Sequence, residues 1–207
     1  MRKGKFITFE GPDGSGKTTI STYVANELKQ RGYDIIHTRE PGGIDIAEQI
    51  RDIILNPRNL AMDAKTEALL YAASRRQHFV EKIKPALLAD RIVLCDRFVD
   101  SSLAYQGVGR SLGIDEIYMI NEFAIEGWLP DLTVFLDISA DAGLKRLESR
   151  LSKDRLDQEN ADFHHRVYEG YQTILNRYAD RMQIVDASKS VEEVQQDTLR
   201  VLLEYLS

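Results

Sequence analysis

The feature that most constrains this chain is a glycine-rich octapeptide near its start. Residues 11–18 read Gly-Pro-Asp-Gly-Ser-Gly-Lys-Thr, which matches the pattern G-x-x-x-x-G-K-[ST] at every fixed position. The apolar run Phe6–Phe9 predicts a buried strand before it, and residues 18–31 have the periodicity of an amphipathic helix after it. Glycines let the backbone wrap around an anion, and the following helix adds its positive end. The sequence therefore predicts a phosphate-binding loop.

The loop assigns nucleotide contacts but does not by itself define a reaction. Its candidate contacts are Gly11, Pro12, Asp13, Gly14, Ser15, Gly16, Lys17 and Thr18. Lys17 is expected to bridge the terminal phosphates, and the Thr18 hydroxyl is expected to hold Mg²⁺. Kinases, GTPases, ATPases and regulatory switches all use such a loop. The sequence contains no Asn-Lys-x-Asp segment, which argues against a GTPase.

The remainder of the chain alternates short β-rich runs with helical patterns. Strands are predicted at residues 6–9, 35–36, 92–95, 132–138 and 182–185. Helices are predicted at residues 18–31, 47–55, 67–88 with a break or kink at Pro85, 115–127, 140–151, 162–178 and 190–206. Strands separated by helices indicate a parallel sheet. We therefore expect one α/β domain over residues 1–207, a P-loop NTPase-type parallel sheet covered by helices on both faces.

A second set of charged residues falls where predicted strands end. Asp96 and Arg97 directly follow the strand at 92–95, and Arg39 follows the second strand. Ligands of open parallel sheets bind at the carboxyl ends of the strands, so Asp96 is a candidate Mg²⁺ ligand and Arg97 a candidate phosphate ligand. Further candidate arginines are Arg51, Arg75, Arg76 and Arg110. Each helical arginine alone is more often a surface residue, but together they indicate a second anion site and hence a transferase.

Asp13 has two interpretations from the residues alone. It is either a tolerated, exposed loop residue or a carboxylate that turns away from the nucleotide to accept a hydrogen bond from an acceptor hydroxyl. Cys95 is interpreted as a small buried strand residue, because no histidine is adjacent to it in the sequence. The four histidines lie outside the motifs and are interpreted as structural or surface residues.

Composition argues against several other functions. The 33 acidic residues exceed the 27 basic ones and give a formal net charge of −6, which disfavours nucleic-acid coating and polybasic membrane binding. A single cysteine excludes an internal disulfide. No apolar run approaches the roughly 20 residues that a membrane span needs. We expect a cytoplasmic protein without nucleic-acid or membrane partners, whose ligand site is positive although its surface is acidic.

Taken together, these segments resemble the thymidylate kinases. The resemblance rests on Phe-Glu-Gly-Pro-Asp-Gly-Ser-Gly-Lys-Thr-Thr from Phe9, Thr-Arg-Glu-Pro-Gly-Gly from Thr38, Ala-Ala-Ser-Arg-Arg from Ala72, Asp-Arg-Phe at 96–98, Asp-Ser-Ser-Leu-Ala-Tyr-Gln-Gly from Asp100, and Asp-Arg-Leu-Asp-Gln-Glu from Asp154. It implies Mg²⁺-dependent transfer of the ATP γ-phosphate to dTMP, which gives dTDP and ADP for dTTP synthesis. It also implies a homodimer.

The resemblance implies a role for each matching residue. The implied dTMP contacts are Asp13, Arg39, Arg51, Tyr71, Arg75, Arg97, Ser102, Tyr105 and Gln106. Among them, Arg97 clamps the acceptor phosphate with help from Arg39 and Arg51, and Asp13 reads the 3′-hydroxyl. Tyr71 stacks on thymine, Arg75, Ser102 and Gln106 lie on the base side, and Tyr105 crowds a ribose 2′-hydroxyl. Phe98 departs from the family's usual tyrosine and lacks its hydroxyl.

The resemblance also implies a lid. Family members differ in whether an extra arginine lies in the phosphate loop or in the lid, and this loop contains no arginine. We call residues 146–158 the lid segment; its basic residues are Arg146, Arg150, Lys153 and Arg155. Arg155 is expected to neutralise charge at the γ-phosphate and, with Lys17 and Arg97, to be catalytic.

Two alternative functions remain open from the sequence. A deoxynucleoside kinase shares the phosphate loop but takes an unphosphorylated acceptor, for which the arginine set is poorly suited. A nucleotide-dependent switch or binding module would turn over ATP without response to any nucleoside monophosphate.

Overall fold

The fold is built on a five-stranded parallel sheet. The computed structural model describes residues 4–148 and 154–207. The strands are β1 (Phe6–Glu10), β2 (Ile35–Arg39), β3 (Ile92–Asp96), β4 (Leu132–Asp137) and β5 (Met182–Asp186). They lie in the order β2-β3-β1-β4-β5, and every neighbouring pair is parallel. The predicted parallel α/β sheet is therefore confirmed.

Helices connect the strands, as the periodicity predicted. They are α1 (Lys17–Gln30), α2 (Asp45–Leu55), α3 (Ala64–His78), α4 (Lys84–Leu88), α5 (Val99–Ser102), α6 (Ile114–Ile125), α7 (Ala140–Glu148), α8 (Ala161–Arg177) and α9 (Val191–Leu206). The end of the predicted helix at 140–151, together with Arg150 and Lys153, lies outside the described residues. Ser190 caps α9 through reciprocal bonds with Glu193, which form a capping box.

The break predicted at Pro85 takes the form of a π-helical turn. Residues Phe79–Ile83 form this turn between α3 and α4, so the helical course continues to Leu88. Proline lacks an amide donor and crowds the preceding turn, and a wider turn accommodates both effects. A second π-helical segment, Leu103–Gly109, extends α5. The sequence patterns did not predict helix over residues 99–109, where buried residues of every kind replace an amphipathic pattern.

The sheet has a separate apolar layer on each face. Successive residues of a strand point to opposite faces, so Phe6 and Ile7 of β1 belong to different layers. Helices α1 and α9 supply one layer, whereas α3, α4, α6, α8 and the two π-helical turns supply the other. Both faces of the sheet are therefore covered, as the sequence predicted.

The sheet brings the predicted functional residues to one edge. The strand register places Arg39 beside Asp96 across β2 and β3, and Phe9 beside Asp96 across β1 and β3. Strand β1 ends at Glu10, immediately before the phosphate loop, and α1 begins at Lys17 immediately after it. The loop and the charged ends of β2 and β3 thus meet at the carboxyl edge of the sheet, where open parallel sheets bind ligands.

Gly170 sets the close packing of α8 on the π-helical segment 103–109. A Cβ atom at Gly170 would lie 3.0 Å from Val108 Cβ and 3.1 Å from Ala104 Cα. We expect Gly170→Val to lower the free energy of unfolding by about 1–3 kcal/mol, because the added methyl groups force the two elements apart. Urea unfolding measures this change. Asn176→Val, at an exposed position of the same helix, is the matched control and is expected to change stability by no more than about 0.5 kcal/mol. Equal effects of the two variants would contradict this account.

Candidate active site

A cavity of about 260 Å³ lies at the carboxyl edge of the sheet. Its walls come from the phosphate loop, the ends of β2 and β3, helices α2 and α3, the segment 101–106 and residues 154–157. Every residue that the resemblance implies for dTMP binding lines it: Asp13, Arg39, Arg51, Tyr71, Arg75, Arg97, Ser102, Tyr105 and Gln106. Residues that are distant in the sequence therefore share one concave site with Lys17 and Thr18 of the phosphate loop.

The phosphate loop is packed so closely that it tolerates no side chain at Gly14. This residue has φ of 81°, and a Cβ atom there would lie 2.4 Å from the carbonyl oxygen of Gly143 on α7. Gly16 stands directly before α1 with φ of 85° and has no side chain to cap the helix. The first amide donors of α1 are consequently available to an anion.

Lys17 is held inside the loop by hydrogen bonds to neutral acceptors. Its Nζ donates to the Gly11 and Pro12 carbonyl oxygens at 2.9 and 2.8 Å and to Ser15 Oγ at 3.1 Å. Burial and the nearby charge of Arg97 lower the pKa of Lys17 to about 7, against the opposing effect of Asp13. A phosphate that reaches Lys17 would replace these neutral acceptors with charged ones, which make stronger hydrogen bonds.

Thr18 and Asp96 lie next to each other at the loop. The Thr18 hydroxyl donates to Asp96 Oδ2 at 2.5 Å, and both residues line the cavity. Mg²⁺ prefers hard oxygen ligands such as hydroxyls and carboxylates. It is usually held by one or two protein groups, and waters complete its coordination. The two residues therefore fit a Mg²⁺ site.

Arg97 presents its guanidinium to the cavity from an unusual backbone conformation. The residue has φ of 67°, in the left-handed region that non-glycine residues rarely adopt. Its Nη2 forms an ion pair with Asp13, and its Nη1 donates to Ser101 Oγ at 3.0 Å. The guanidinium also lies over the Tyr105 ring, 4.9 Å from its centroid. Asp13 thus engages Arg97 rather than projecting into solvent.

The pair between Asp13 and Arg97 shifts both titrations towards the charged forms. Burial raises the pKa of the Asp13 carboxyl. The charges of Arg97 and Lys17 lower it by more than burial raises it, so the net shift is downward. Burial lowers the pKa of Arg97, but the interactions with Tyr105 and Asp13 raise it by more, so the net shift is upward. Both groups are therefore ionised at neutral pH, and the pair offers a cation to a phosphate and an acceptor to a hydroxyl.

A buried carboxylate that sequence reasoning missed supports Arg97. Glu10, at the end of β1, accepts hydrogen bonds from the Phe98 amide at 2.7 Å, from Ser101 Oγ at 2.5 Å and from the Tyr171 hydroxyl at 3.0 Å. Burial and the charge of Asp100 raise the pKa of Glu10 to about 7, and the Ser101 bond and Arg97 limit the shift. The only sequence signal was an acidic residue inside an apolar strand.

Arg75 lies in a second buried polar cluster. Its Nε donates to Glu40 at 2.7 Å, its Nη1 to Ser102 at 2.9 Å and to Asn121, and its Nη2 to the Phe98 carbonyl oxygen at 2.9 Å. The guanidinium also lies 5.2 Å from the centroid of the Phe98 ring. These contacts use the fork of donors and fix it at the cavity wall.

Glu40 and Phe98, which both contact Arg75, have further partners in the core. Glu40 also accepts a hydrogen bond at 2.9 Å from His78, which is fully buried. Phe98, where the family's tyrosine would stand, is fully buried and packs edge-on against Phe6 with ring centroids 4.8 Å apart. The missing hydroxyl is thus replaced by apolar packing, while Asp96 and Arg97 keep their places.

Arg39 and Arg51 converge on one carbonyl oxygen beside the cavity. Both donate to the Pro41 carbonyl, at 3.0 and 2.9 Å, and Arg39 also pairs with Glu48 at 2.8 Å. The peptide bond between Glu40 and Pro41 is cis. Two guanidinium groups that meet at one carbonyl oxygen are well placed to bind an anion.

The two described arginines of the lid segment have different surroundings. Arg146 donates to the carbonyl oxygens of Gly14, in the phosphate loop, and Ala187, at 3.2 and 3.0 Å. Arg155 is buried and donates to Glu67 at 2.6 Å and to the Ile54 carbonyl oxygen at 2.7 Å. The structure therefore brings Arg146, and not Arg155, to the phosphate loop. The γ-phosphate contact of Arg155 stays a prediction.

The charge balance of the cavity differs from the expected positive site. Five cationic and five acidic side chains line it: Lys17, Arg39, Arg51, Arg75 and Arg97, with Asp13, Glu40, Asp96, Asp154 and Asp157. The expectation of a net positive site is therefore wrong for the described wall. The balance results from local pairing, since buried cations need hydrogen-bonded partners and acidic residues supply them.

The interpretation of Cys95 as a small buried strand residue is confirmed, because its thiol is buried and donates to the Arg97 carbonyl oxygen at 3.2 Å.

Comparison with a family model gives a match over nearly the whole chain. Residues 9–198 match the model described as thymidylate kinase. A curated protein named thymidylate kinase from Geobacillus sp. (strain WCH70) is 54% identical over 206 residues, which cover 99% of this chain and 98% of that protein. Another of the same name, from Bacillus velezensis, is 57% identical over 205 residues and covers 98% of this chain and 97% of its own length.

A solved structure gives the same result at greater sequence distance. The crystal structure of thymidylate kinase from Ehrlichia chaffeensis is 33% identical to this chain and superposes with a TM-score of 0.79. The match covers 97% of this chain and 98% of that one. Sequence and three-dimensional comparisons therefore agree.

The buried pair of Arg75 and Glu40 yields a prediction on stability. Both side chains are 2% exposed, so Arg75→Met would leave the buried Glu40 carboxylate without its arginine partner. We expect this variant to lower the free energy of unfolding by about 3–5 kcal/mol, measured by urea unfolding. Arg31→Met removes an exposed pair with Glu27 and is expected to cost less than about 1 kcal/mol. A loss of less than about 1 kcal/mol in Arg75→Met would show that Glu40 finds another partner.

Proposed function

The chain belongs to the thymidylate kinase family, and we propose that the cavity at the carboxyl edge of the sheet performs the family's reaction with the residues named here. The protein transfers the γ-phosphate of ATP to dTMP and produces dTDP and ADP, a step towards dTTP. The observation that carries the assignment of the site is the joining, in one cavity, of a phosphate loop with the anion-binding set Arg39, Arg51 and Arg97.

The donor binds at the phosphate loop. Residues 11–18 supply backbone donors, and the uncapped start of α1 adds its positive end. Lys17 exchanges its bonds to the Gly11 and Pro12 carbonyl oxygens for bonds to the β- and γ-phosphates. Thr18 and Asp96 would hold Mg²⁺, which would neutralise charge on the phosphate oxygens.

The acceptor binds across the cavity from the donor. Arg97 holds the acceptor phosphate, and Arg39 and Arg51 neutralise the same region. Asp13, paired with Arg97, accepts a hydrogen bond from the 3′-hydroxyl. Tyr71 contacts the thymine ring, Arg75, Ser102 and Gln106 form the polar base side, and Tyr105 packs beside the sugar.

Catalysis follows from position and charge. The attacking atom is a phosphate oxygen of dTMP, largely ionised at neutral pH, so no histidine is needed as a base. Lys17 and Arg97 stabilise the charge that spreads over the transferred phosphoryl group. Fixed donors are effective in this role because they need no reorganisation when the charge develops.

The whole chain acts as a single kinase domain with a lid at about residues 146–158. Closure of this lid segment over the donor excludes water from the reaction. No helix among residues 4–148 and 154–207 has the length and apolar character of a membrane span. We place the protein in the cytoplasm because its reaction needs a supply of ATP and dTMP.

A homodimer is supported by an exposed apolar patch on one side of the molecule. Phe123 and Met119 lie one turn apart on α6 and are 87% and 61% exposed, and Leu69 on the neighbouring α3 is 58% exposed. Large exposed apolar groups that cluster on a surface indicate an interface. A second copy of the chain is the partner proposed for this patch.

The test of the function is an ADP-release assay with ATP and Mg²⁺ and a panel of acceptors. We expect the highest kcat/KM with dTMP and no turnover with thymidine, because the arginine set needs a phosphate. A preference for thymidine would indicate a deoxynucleoside kinase instead. ATP turnover that responds to no nucleoside monophosphate would indicate a switch or binding module.

The dimer is tested by Phe123→Glu and sedimentation equilibrium. A buried charge at the centre of an apolar interface is unfavourable, so we expect the dimer dissociation constant to rise by at least about tenfold. Val191→Glu, on α9 at the other face of the sheet, is the control and leaves the dimer intact. A monomeric wild-type chain, or equal behaviour of both variants, would exclude this interface.

A further inference from the structure

Glu67 is a buried carboxylate that the reaction described above does not use. Its side chain is 0% exposed and accepts hydrogen bonds from three residues. The donors are Arg155 Nη2 at 2.6 Å, Gln106 Nε2 at 2.8 Å, and Arg110 through Nη2 at 3.0 Å and Nε at 3.3 Å. Burial raises the pKa of Glu67, but the bonds and charge of Arg110, with Gln106 and Arg155, lower it further, so the carboxylate is charged.

Glu67 and its partners come from three parts of the chain. Glu67 lies on α3, one turn before Tyr71 and two turns before Arg75. Gln106 belongs to the π-helical segment Leu103–Gly109, and Arg155 lies in the lid segment. Arg110 forms a second connection between Glu67 and the residues after the lid segment. It also pairs with Glu159 at 2.6 Å and lies 4.5 Å from the centroid of the Phe163 ring.

Arg155 also binds the end of α2. Its Nε donates to the Ile54 carbonyl oxygen at 2.7 Å, and its backbone amide donates to the Leu55 carbonyl oxygen at 3.1 Å. A cation is favourable at the C-terminus of a helix, where carbonyl groups lack partners. Helix α2 carries Arg51, which lines the acceptor part of the cavity.

The residues around Arg155 form part of the cavity wall. Asp154, Leu156 and Asp157 line the cavity, and Asp154 holds this turn through bonds to the Leu156 and Asp157 amides at 2.8 and 3.0 Å. Gln106 lines the same cavity and is fixed by its bond to Glu67. One carboxylate therefore anchors both the polar base side and the end of the lid segment.

We propose that Glu67 is a positioning residue that ties residues 154–159 to the acceptor side of the cavity through Arg155 and Arg110. This inference rests on the proposed function. A base that binds Gln106 stabilises the same network that holds Arg155, so dTMP binding fixes the end of the lid segment before ATP is engaged. Arg155 acts here from the acceptor side; its predicted contact with the γ-phosphate would require it to leave Glu67.

The energetics of burial make this connection strong enough to couple the two parts. A buried carboxylate is tolerated only when its oxygens are hydrogen-bonded and its charge is paired. Withdrawal of Arg155 leaves Glu67 and the α2 carbonyls short of a charged donor. The end of the lid segment therefore separates from the acceptor wall only at a cost, and a ligand that holds Gln106 in place raises that cost.

The first test is a double-mutant cycle on the KM for dTMP with Arg155→Met, Glu67→Gln and the double variant. We expect each single variant to raise the KM for dTMP by about 5- to 150-fold, the range of typical coupling between sites. The KM for ATP is expected to stay within about twofold. The KM of the double variant should not exceed that of the more affected single variant, because both changes remove the same interaction between Arg155 and Glu67.

The control is Arg91→Met, which removes the partner of the exposed Asp34 at 2.6 Å and touches no residue of the cavity wall described above. It is expected to leave the KM for dTMP unchanged. The inference is overturned if Arg155→Met leaves the KM for dTMP within about twofold, or if the effects in the cycle multiply. A rise in the KM for ATP alone would return Arg155 to the γ-phosphate.

A second measurement covers the possibility that Glu67→Gln does not fold. Hydrogen–deuterium exchange of residues 154–159 is expected to slow when dTMP is added to the wild-type chain without ATP, and this protection should be lost in Arg155→Met. Unchanged exchange in the wild type, or equal protection in the variant, overturns the inference. Failure of the proposed function has a different signature, since the wild-type chain would then not phosphorylate dTMP.

Discussion

The active-site edge of this protein depends on how one buried carboxylate is satisfied. Glu10 ends the central strand β1, is fully buried, and accepts bonds from the Phe98 amide and from the hydroxyls of Ser101 and Tyr171. A buried carboxyl group whose oxygens lack hydrogen bonds is unfavourable, so these partners have little freedom. Phe98 directly follows Arg97, and Ser101 lies four residues after it. The bonds of these two residues to Glu10 therefore hold Arg97 at φ of 67° and direct its guanidinium at the cavity.

The cavity is organised by local pairs of charges and not by a net positive field. Asp13 pairs with Arg97, Glu40 with Arg75, and Glu67 with Arg155 and Arg110. Each pair fixes the direction of a guanidinium, and a planar fork binds a phosphate or a base edge only in the right orientation. The acidic composition of the whole chain, −6 in net charge, is thus compatible with binding two anions. Lys17 differs from these paired arginines because its hydrogen-bond acceptors, the Gly11 and Pro12 carbonyl oxygens and Ser15 Oγ, are neutral, and a phosphate can replace them.

The sequence predicted what depends on short, local patterns. The five strands, the phosphate loop and the positions of Asp96 and Arg97 at a strand end follow from periodicity and motif spacing, and the structure agrees. Helix 99–109 was missed because its residues are buried on most sides, which removes the amphipathic pattern. Glu10, Glu40 and Glu67 were also missed, since an acidic residue in a strand or helix reveals its partner only when the chain is folded. The partners of Arg155 lie 88 and 101 residues away in the sequence, which no spacing rule predicts.

The most direct test of this account is a rapid-quench single-turnover measurement of dTMP phosphorylation with Arg97→Lys. Lysine keeps the positive charge but loses the planar fork that Glu10, Ser101 and Asp13 hold in place. The account predicts that the rate of phosphoryl transfer falls by at least about 10²-fold, as when a fixed donor to the transition state is removed, while the dissociation constant for ATP stays within about twofold. A rate within about threefold of the wild type would contradict it, because charge alone, without the orientation set by the buried carboxylate, would then suffice.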